Sequence, residues 1–393
     1  MEMDAVVAGH VCLDINPSFA QENRADPMKI FAPGRLNIVG PAVLSTGGAV
    51  SNTGLAMARM GFRMRLIGKV GDDGFGDLIR ARFAEEGASD GMRVSPGEAS
   101  SYSVVLAVPG VDRIFFHCPG CNDTFTPEDV DSSSFGGARL LHFGYPPLMR
   151  QFYADGGENL RRLFAAVRAA GTATSLDMAY PDPASASGRA DWRGILTKAL
   201  PLTDLFVPSV EEVLIMLDPA GYEARRREFA GRDLAEALPM DDIRRLADAL
   251  LDMGCGLVLM KCGVRGLYLR SGPAQRLRAI PRLGLDAAAW ASRELWQVPF
   301  SATVVNATGS GDCAIAGFLG AILRNEPPET ALRIAAAAGW RNVQTPDTLS
   351  GMGPYDALRI DALRLTDVLP ARLGTGWTAL PEAGLHVGAR DRK

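Results

Sequence analysis

Short, mostly apolar runs bounded by Gly, Pro or Asp alternate with stretches of helical spacing along most of this chain. Ala5–Gly9, Met64–Val70, Leu140–Phe143, Ala173–Asp177, Leu205–Val207 and Leu257–Lys261 are too short for helices and predict strands. Between them the spacing predicts helices over Asn52–Met60, Phe75–Glu86, Glu158–Ala170, Trp192–Ala199 and Val210–Leu217, the first stopped by Gly61. Strands alternating with helices call for an α/β fold, a mostly parallel central sheet with helices on both faces. Gly266–Leu269 follows Leu257–Lys261 closely enough to be a further strand.

Several segments leave this rhythm. Residues 18–45 carry scattered Pro and Gly and predict loops and short exposed strands, whereas Tyr102–Val108 and Arg113–His117 predict a hairpin about Pro109-Gly110. Residues 219–240, with Arg225-Arg226-Arg227, read as a solvated, charged insertion. A second insertion, 283–299, carries Trp290 and Trp296 and reads as a loop or short helix over a neighbouring surface. No repeat or linker divides residues 1–370, so one domain is expected there, followed by a loosely structured surface tail over 371–393.

Composition narrows the function. At 47% hydrophobic and 22% charged residues the chain reads as a soluble globular protein. No window approaches the roughly 18 apolar residues of a membrane span. The acidic start lacks the basic region of a secretory signal, so a cytoplasmic protein is expected. A net charge of −4 without a Lys/Arg block argues against nucleic-acid and membrane-surface binding. Six cysteines are too sparse for a disulfide scaffold. Cys118-Pro-Gly-Cys121 has no second pair to complete a zinc site. It also closes a hairpin, whereas a redox motif opens a helix.

The chemistry concentrates at Asn306-Ala307-Thr308-Gly309-Ser310-Gly311-Asp312, which opens a helix of small residues. Two glycines permit a tight turn whose N–H groups join those of the helix N-terminus in an anion nest. Such a nest suits a phosphoryl group in transit, and a carboxylate at its mouth suits a base for a substrate hydroxyl. A Gly-rich turn with Asp as a helix cap accounts for the spacing equally well.

Other segments decide between them. Gly-Ser-Gly-Asp before a small-residue helix resembles the C-terminal signature of ribokinase-like (PfkB family) carbohydrate kinases. Gly47-Gly48 with Asn52, then Gly68-Lys-Val-Gly71-Asp72-Asp73, resembles the N-terminal one. Asp14, Gly120-Cys-Asn122, Pro208-Ser-Val-Glu-Glu212 and Lys261-Cys-Gly263-Val-Arg-Gly266 follow in family order, over about residues 4–350.

The resemblance implies an ATP-dependent kinase acting on a hydroxyl, preferentially primary, of a sugar or polyol. Asp312 would be the base and the Gly309–Ser310–Gly311 backbone the anion hole. Asp14, Gly47, Gly48 and Asn52 would bind the acceptor. Lys261, Gly263 and Thr308 would border the nucleotide, and Glu212 would order Mg²⁺-bound water. Segments of about 15–40 and 98–122 would form a small β-sheet lid, which is also a candidate homodimer contact. His10 and His117 lie near that lid. Phe19, Tyr102, Phe115 and Phe116 leave a nucleoside kinase open as an alternative, and a silent sugar sensor is another. Three positions depart from the family pattern: Asn306-Ala307, which puts potassium dependence in question, Ser209 and Ala336. A NAD-dependent dehydrogenase is disfavoured, because no Gly-x-Gly-x-x-Gly follows the first strand.

Overall fold

The computed structural model describes residues 3–19, 33–108 and 114–392. Part of the first lid segment (residues 20–32) and the Pro109-Gly110 turn lie outside the described residues. In chain order the strands are β1 (Met3–Gly9), β2 (Cys12–Pro17), β3 (Ala42–Gly47), β4 (Met64–Gly71), β5 (Met92–Ser95), β6 (Tyr102–Leu106), β7 (Ile114–Cys118) and β8 (Ala138–Gly144). They continue with β9 (Ala173–Asp177), β10 (Leu205–Phe206), β11 (Leu257–Lys261), β12 (Leu267–Ser271), β13 (Glu294–Gln297), β14 (Trp377–Ala379) and β15 (Leu385–Gly388).

Eleven of these form one sheet in the order β5-β4-β1-β8-β9-β10-β11-β12-β13-β15-β14. All pairings from β5 to β11 are parallel, and those from β11 to β14 are antiparallel. Both faces of the parallel part are covered. Ala5 and Val7 of β1 enter one apolar core while Val6 and Ala8 enter the other, so the strand carries no polar alternation. The remaining strands make a separate sheet, β3-β2-β6-β7, which lies beside the main one. It is an α/β fold with a large, mostly parallel sheet and a small second sheet, the architecture that the resemblance implies.

Two expectations need correction. The segment 371–393 is not a loose tail: β14 and β15 form a hairpin that extends the main sheet beyond β13. Trp377 packs on Trp296 and Tyr268 with the Arg244 guanidinium over its ring, and Leu385 is fully buried. Strands of three and four residues are too short to show period two in the text. The insertion 283–299 supplies a short helix, Ala287–Trp290, but also β13, a strand of the main sheet, and both tryptophans are core residues. The charged segment 219–240 is largely solvated, as expected, and takes helical form over Pro219–Glu228 and Leu234–Ala237, anchored by the buried Tyr222, Leu234 and Ala235.

If the C-terminal hairpin belongs to the core, Leu385→Ala lowers stability by about 3 kcal/mol, in the range of large-to-small core changes. Urea denaturation measures it. An unchanged midpoint would return these residues to a surface tail.

Candidate active site

Because β1, β8, β9 and β11 run parallel, the residues at their carboxyl ends meet along one edge of the sheet, where α/β proteins form ligand crevices. His10 follows β1, Tyr145 follows β8, Asp177 ends β9 and Lys261 ends β11. The helix Ser310–Leu323 starts at the same edge and is buried over almost its whole length. Gly309 caps it at φ 74°, and a Cβ there would come within 2.3 Å of Thr348 Cγ2, so only glycine turns this corner. The Ser310 N–H turns back to the Ala307 carbonyl at 3.3 Å. The first-turn N–H groups of Gly311 and Asp312 have no carbonyl behind them in the helix.

Asp312, 6% exposed, is the hub of the site. Tyr145 Oη donates to its Oδ1 at 2.5 Å, Asn52 Nδ2 donates to its Oδ2 at 3.0 Å, and Thr53 Oγ1 lies 3.5 Å from Oδ1. Asn52 and Thr53 reach it from a turn of π-helix, Val50–Leu55, that precedes the α-helical Ala56–Arg59. Inserted π turns recur at functional sites because they re-aim side chains. Tyr145 sits at φ 67°, ψ 42°, left-handed backbone that costs a bulky residue about 1–3 kcal/mol. Burial, then the charge of Asp312, push its phenol well above the ordinary tyrosine range, so it remains a donor.

Lys261 Nζ donates to Asp177 Oδ1 at 2.6 Å and to the Val207 carbonyl at 2.8 Å. Burial works against its charge, but Asp177, with Glu212 and Asp312 beyond, holds the ammonium above the ordinary lysine value. Ser209 caps Val210–Leu217: its hydroxyl accepts from the Glu212 N–H at 3.3 Å, and Glu212 Oε2 accepts from the Ser209 N–H at 2.7 Å. Ser209 therefore aims Glu212 at the site from the helix start. These groups line a cleft of about 290 Å³ with Tyr145, Met178, Ala179, Tyr180 and Gly311. A larger groove, about 390 Å³, lies between Pro127–Phe135 and Arg161–Ala166, and no buried ionisable side chain lines it.

The small sheet adjoins this edge through His10, whose ring neighbours Tyr145, and through Gly47-Gly48, which lead into the turn that carries Asn52. A Cβ on Gly47 would meet Asp14 Oδ2 at 2.3 Å, and one on Gly48, at φ 87°, would meet the His10 carbonyl at 2.5 Å. These glycines let β2, β3 and the loop after β1 close on one another. Burial lifts the Asp14 carboxyl to about 6, against the Cys12 thiol and the Ser103 hydroxyl that bond it. The His10 ring stacks 5.2 Å from His117 and 6.1 Å from Tyr145, and burial keeps it neutral. His142, by contrast, is a core residue bonded to Ser175 Oγ at 2.9 Å. Cys121 donates to the Lys69 carbonyl, and burial raises its thiol to about 12.

The structure thus gathers Gly309, Ser310, Gly311, Asp312, Asn52, Lys261 and Glu212 at one edge, with Asp14, Gly47 and Gly48 in the adjoining lid. Thr308 stands one residue outside the turn, its N–H and hydroxyl both bonded to Asn306 Oδ1. Gly263 lies in the β11–β12 turn near Ala235 and does not line the cleft. Tyr145, Asp177 and Thr53 were not singled out by sequence. Their signal was position alone, the carboxyl ends of two parallel strands and the residue beside Asn52.

The family model of pfkB carbohydrate kinases matches residues 4–352. An uncharacterized sugar kinase of Archaeoglobus fulgidus is 25% identical over 280 residues, 71% of this chain and 91% of that protein. Arabidopsis thaliana ribokinase, solved with ribose and ATP, superposes with a TM-score of 0.66 at 19% identity, covering 93% of this chain and 100% of that one. A putative ribokinase II from E. coli, solved with ATP and Mg²⁺, gives 0.63 at 20% identity, over 91% and 98% of the two chains. The chain belongs to the pfkB family of carbohydrate kinases, enzymes of ATP-dependent sugar phosphorylation.

Asp14 gives a stability test. Its folded carboxyl titrates near 6 and its unfolded one near 3.8, so the folded chain holds the proton more tightly. Stability contributed here is lost as pH rises from about 4 to 6 and is level above. Asp14→Asn removes the penalty, and the variant gains on the native protein across that window in urea denaturation at pH 4, 5, 6 and 7. A difference independent of pH would mean that Asp14 titrates normally.

Proposed function

We propose that this kinase transfers the γ-phosphoryl group of ATP to a hydroxyl, preferentially primary, of a sugar or sugar-like polyol, with Asp312 as general base. The observation that carries the reading is a buried carboxylate in the first turn of a helix, lining a cleft at the carboxyl ends of the parallel strands. An ionised carboxylate accepts about four hydrogen bonds, so Asp312 can take a substrate hydroxyl beside its present donors. The hydroxyl oxygen attacks phosphorus in line while its proton passes to Asp312. The turn Gly309–Ser310–Gly311 and the N–H groups that follow meet the charge on the phosphoryl oxygens. Asp14, Gly47, Gly48 and Asn52 orient the acceptor, and the small sheet excludes water that would otherwise compete for the phosphoryl group. Lys261 borders the nucleotide.

Glu212 and Asp177 offer hard oxygen donors beside the cleft, a set that fits Mg²⁺ carried largely by water and phosphate oxygens. Such an ion neutralises charge on the triphosphate. The residues fit a potassium site less well. Asn306 presents a neutral amide whose Nδ2 donates to the Pro346 carbonyl at 2.8 Å and whose Oδ1 is taken up by Thr308, so it already joins the two loops. The nucleoside alternative draws less support, since Tyr102 packs its ring edge-on against Phe75 and Phe115 and Phe116 are more than half exposed. The silent-sensor reading leaves the assembled base and anion turn without a use.

We expect Mg²⁺-dependent ADP release with one class of acceptor from a panel of sugars, polyols and nucleosides. Asp312→Asn should lower kcat at least about 10²-fold, and rates in sodium and potassium buffers should agree. Ligand-induced stabilisation without turnover for every acceptor would replace the kinase reading with the sensor.

Val43, Leu44, Phe115 and Phe116 expose more than half their surface on the small sheet, which supports a second copy of the chain as its cover. Light scattering would then report twice the chain mass, and Leu44→Asp would return it to one. A native monomer at working concentration would end this reading.

A further inference from the structure

Asp312 is addressed by donors from two separate elements. Asn52 and Thr53 come from the π turn, while Tyr145 comes from the loop after β8, where nothing in the local sequence demands an aromatic residue. Tyr145 is held there against its own preference. It has left-handed backbone although it carries a side chain, and it precedes Pro146, which disfavours helical conformations in the residue before it. The strain is stabilised by its surroundings. The Tyr145 N–H donates to the Asp177 carbonyl at 3.3 Å, the Leu148 N–H returns to the Tyr145 carbonyl at 2.9 Å, and the His10 ring lies against the phenol ring. Backbone held in a costly conformation points to a function for the side chain it delivers.

We propose that Tyr145 is the positioning residue for the general base, holding the Asp312 carboxylate by one oxygen so that a lone pair faces the acceptor hydroxyl. The inference rests on Asp312 being that base. A carboxylate on a short side chain rotates freely about its last bond unless both oxygens are tied. Here Asn52 ties Oδ2 and Tyr145 ties Oδ1. Tyr145 gives up no proton in the reaction. Its O–H stays on the phenol and donates throughout, while the proton from the acceptor goes to Asp312. The same hydrogen bond links the end of β8 to the start of the helix Ser310–Leu323, so the base is registered against the sheet edge that carries Asp177.

The test is Tyr145→Phe, which keeps the ring and its packing, with Asp312→Asn measured beside it. If Tyr145 orients the base, Tyr145→Phe lowers kcat about tenfold or more. KM for ATP and for the acceptor stays within about threefold, and the melting temperature and its rise with ATP stay unchanged. A purely structural role would move melting temperature or KM and leave kcat. A native kcat in Tyr145→Phe with an inactive Asp312→Asn overturns this proposal alone. A near-native kcat in Asp312→Asn overturns the base and Tyr145 together. Should Tyr145→Phe melt early, Thr53→Val, which removes another donor to the same oxygen, is assayed with it. Native kcat there and recovery of Tyr145→Phe to native kcat at a temperature where it is folded overturn the proposal.

Discussion

One buried ammonium holds the working edge of this sheet together. Lys261 reaches back from the end of β11, past the two-residue β10, to bond Asp177 on β9 and the Val207 carbonyl between them. Its own N–H is bonded to the Pro208 carbonyl at 2.9 Å, immediately before the Ser209 cap that aims Glu212. The Gly311 backbone packs on its aliphatic stem, where an added Cβ would lie 3.2 Å from Cδ. A buried charge stripped of its partner costs about 3–5 kcal/mol, so Asp177 and Lys261 must be kept or lost as a pair. Three carboxylates, Asp177, Glu212 and Asp312, share the field of this one cation.

Beside the small sheet the physics is different. His10, His117 and Asp14 sit in dehydrated surroundings, where burial lowers both imidazoles and raises the carboxyl to about 6. On the proposed reading, an acceptor entering there would exchange hydrogen bonds between its hydroxyls and these groups. Asp312 stands between this region and the sheet edge, tied by Asn52 from the turn after β3 and by Tyr145 from the end of β8.

The parallel core was legible because burial on both faces writes an apolar run that needs no partner to interpret. Ala173–Asp177, Trp192–Ala199 and Val210–Leu217 appear with the boundaries read from sequence, the last two because Asp191 and Ser209 cap them. The antiparallel end was not legible. β13, β14 and β15 are three or four residues long, and their place is set by Trp296, Tyr268, Trp377 and Arg244 meeting across about a hundred residues of chain. In the site, glycines and Asp312 announced themselves through motif spacing. Asp177 and Tyr145 are ordinary in the text and acquire their meaning only when parallel strands bring their ends level.

The C-terminal hairpin also gives the chain a direction in time. Glu294–Gln297 is synthesised with one edge of its backbone unpaired, and the strand that covers it, Leu385–Gly388, follows some ninety residues later. Until then a growing chain ends this side of its sheet on β13, the kind of edge on which other strands add. Every residue of the candidate site has already been made by that point. The hairpin then moves the edge to the three-residue β14, which leaves a shorter stretch of unpaired backbone.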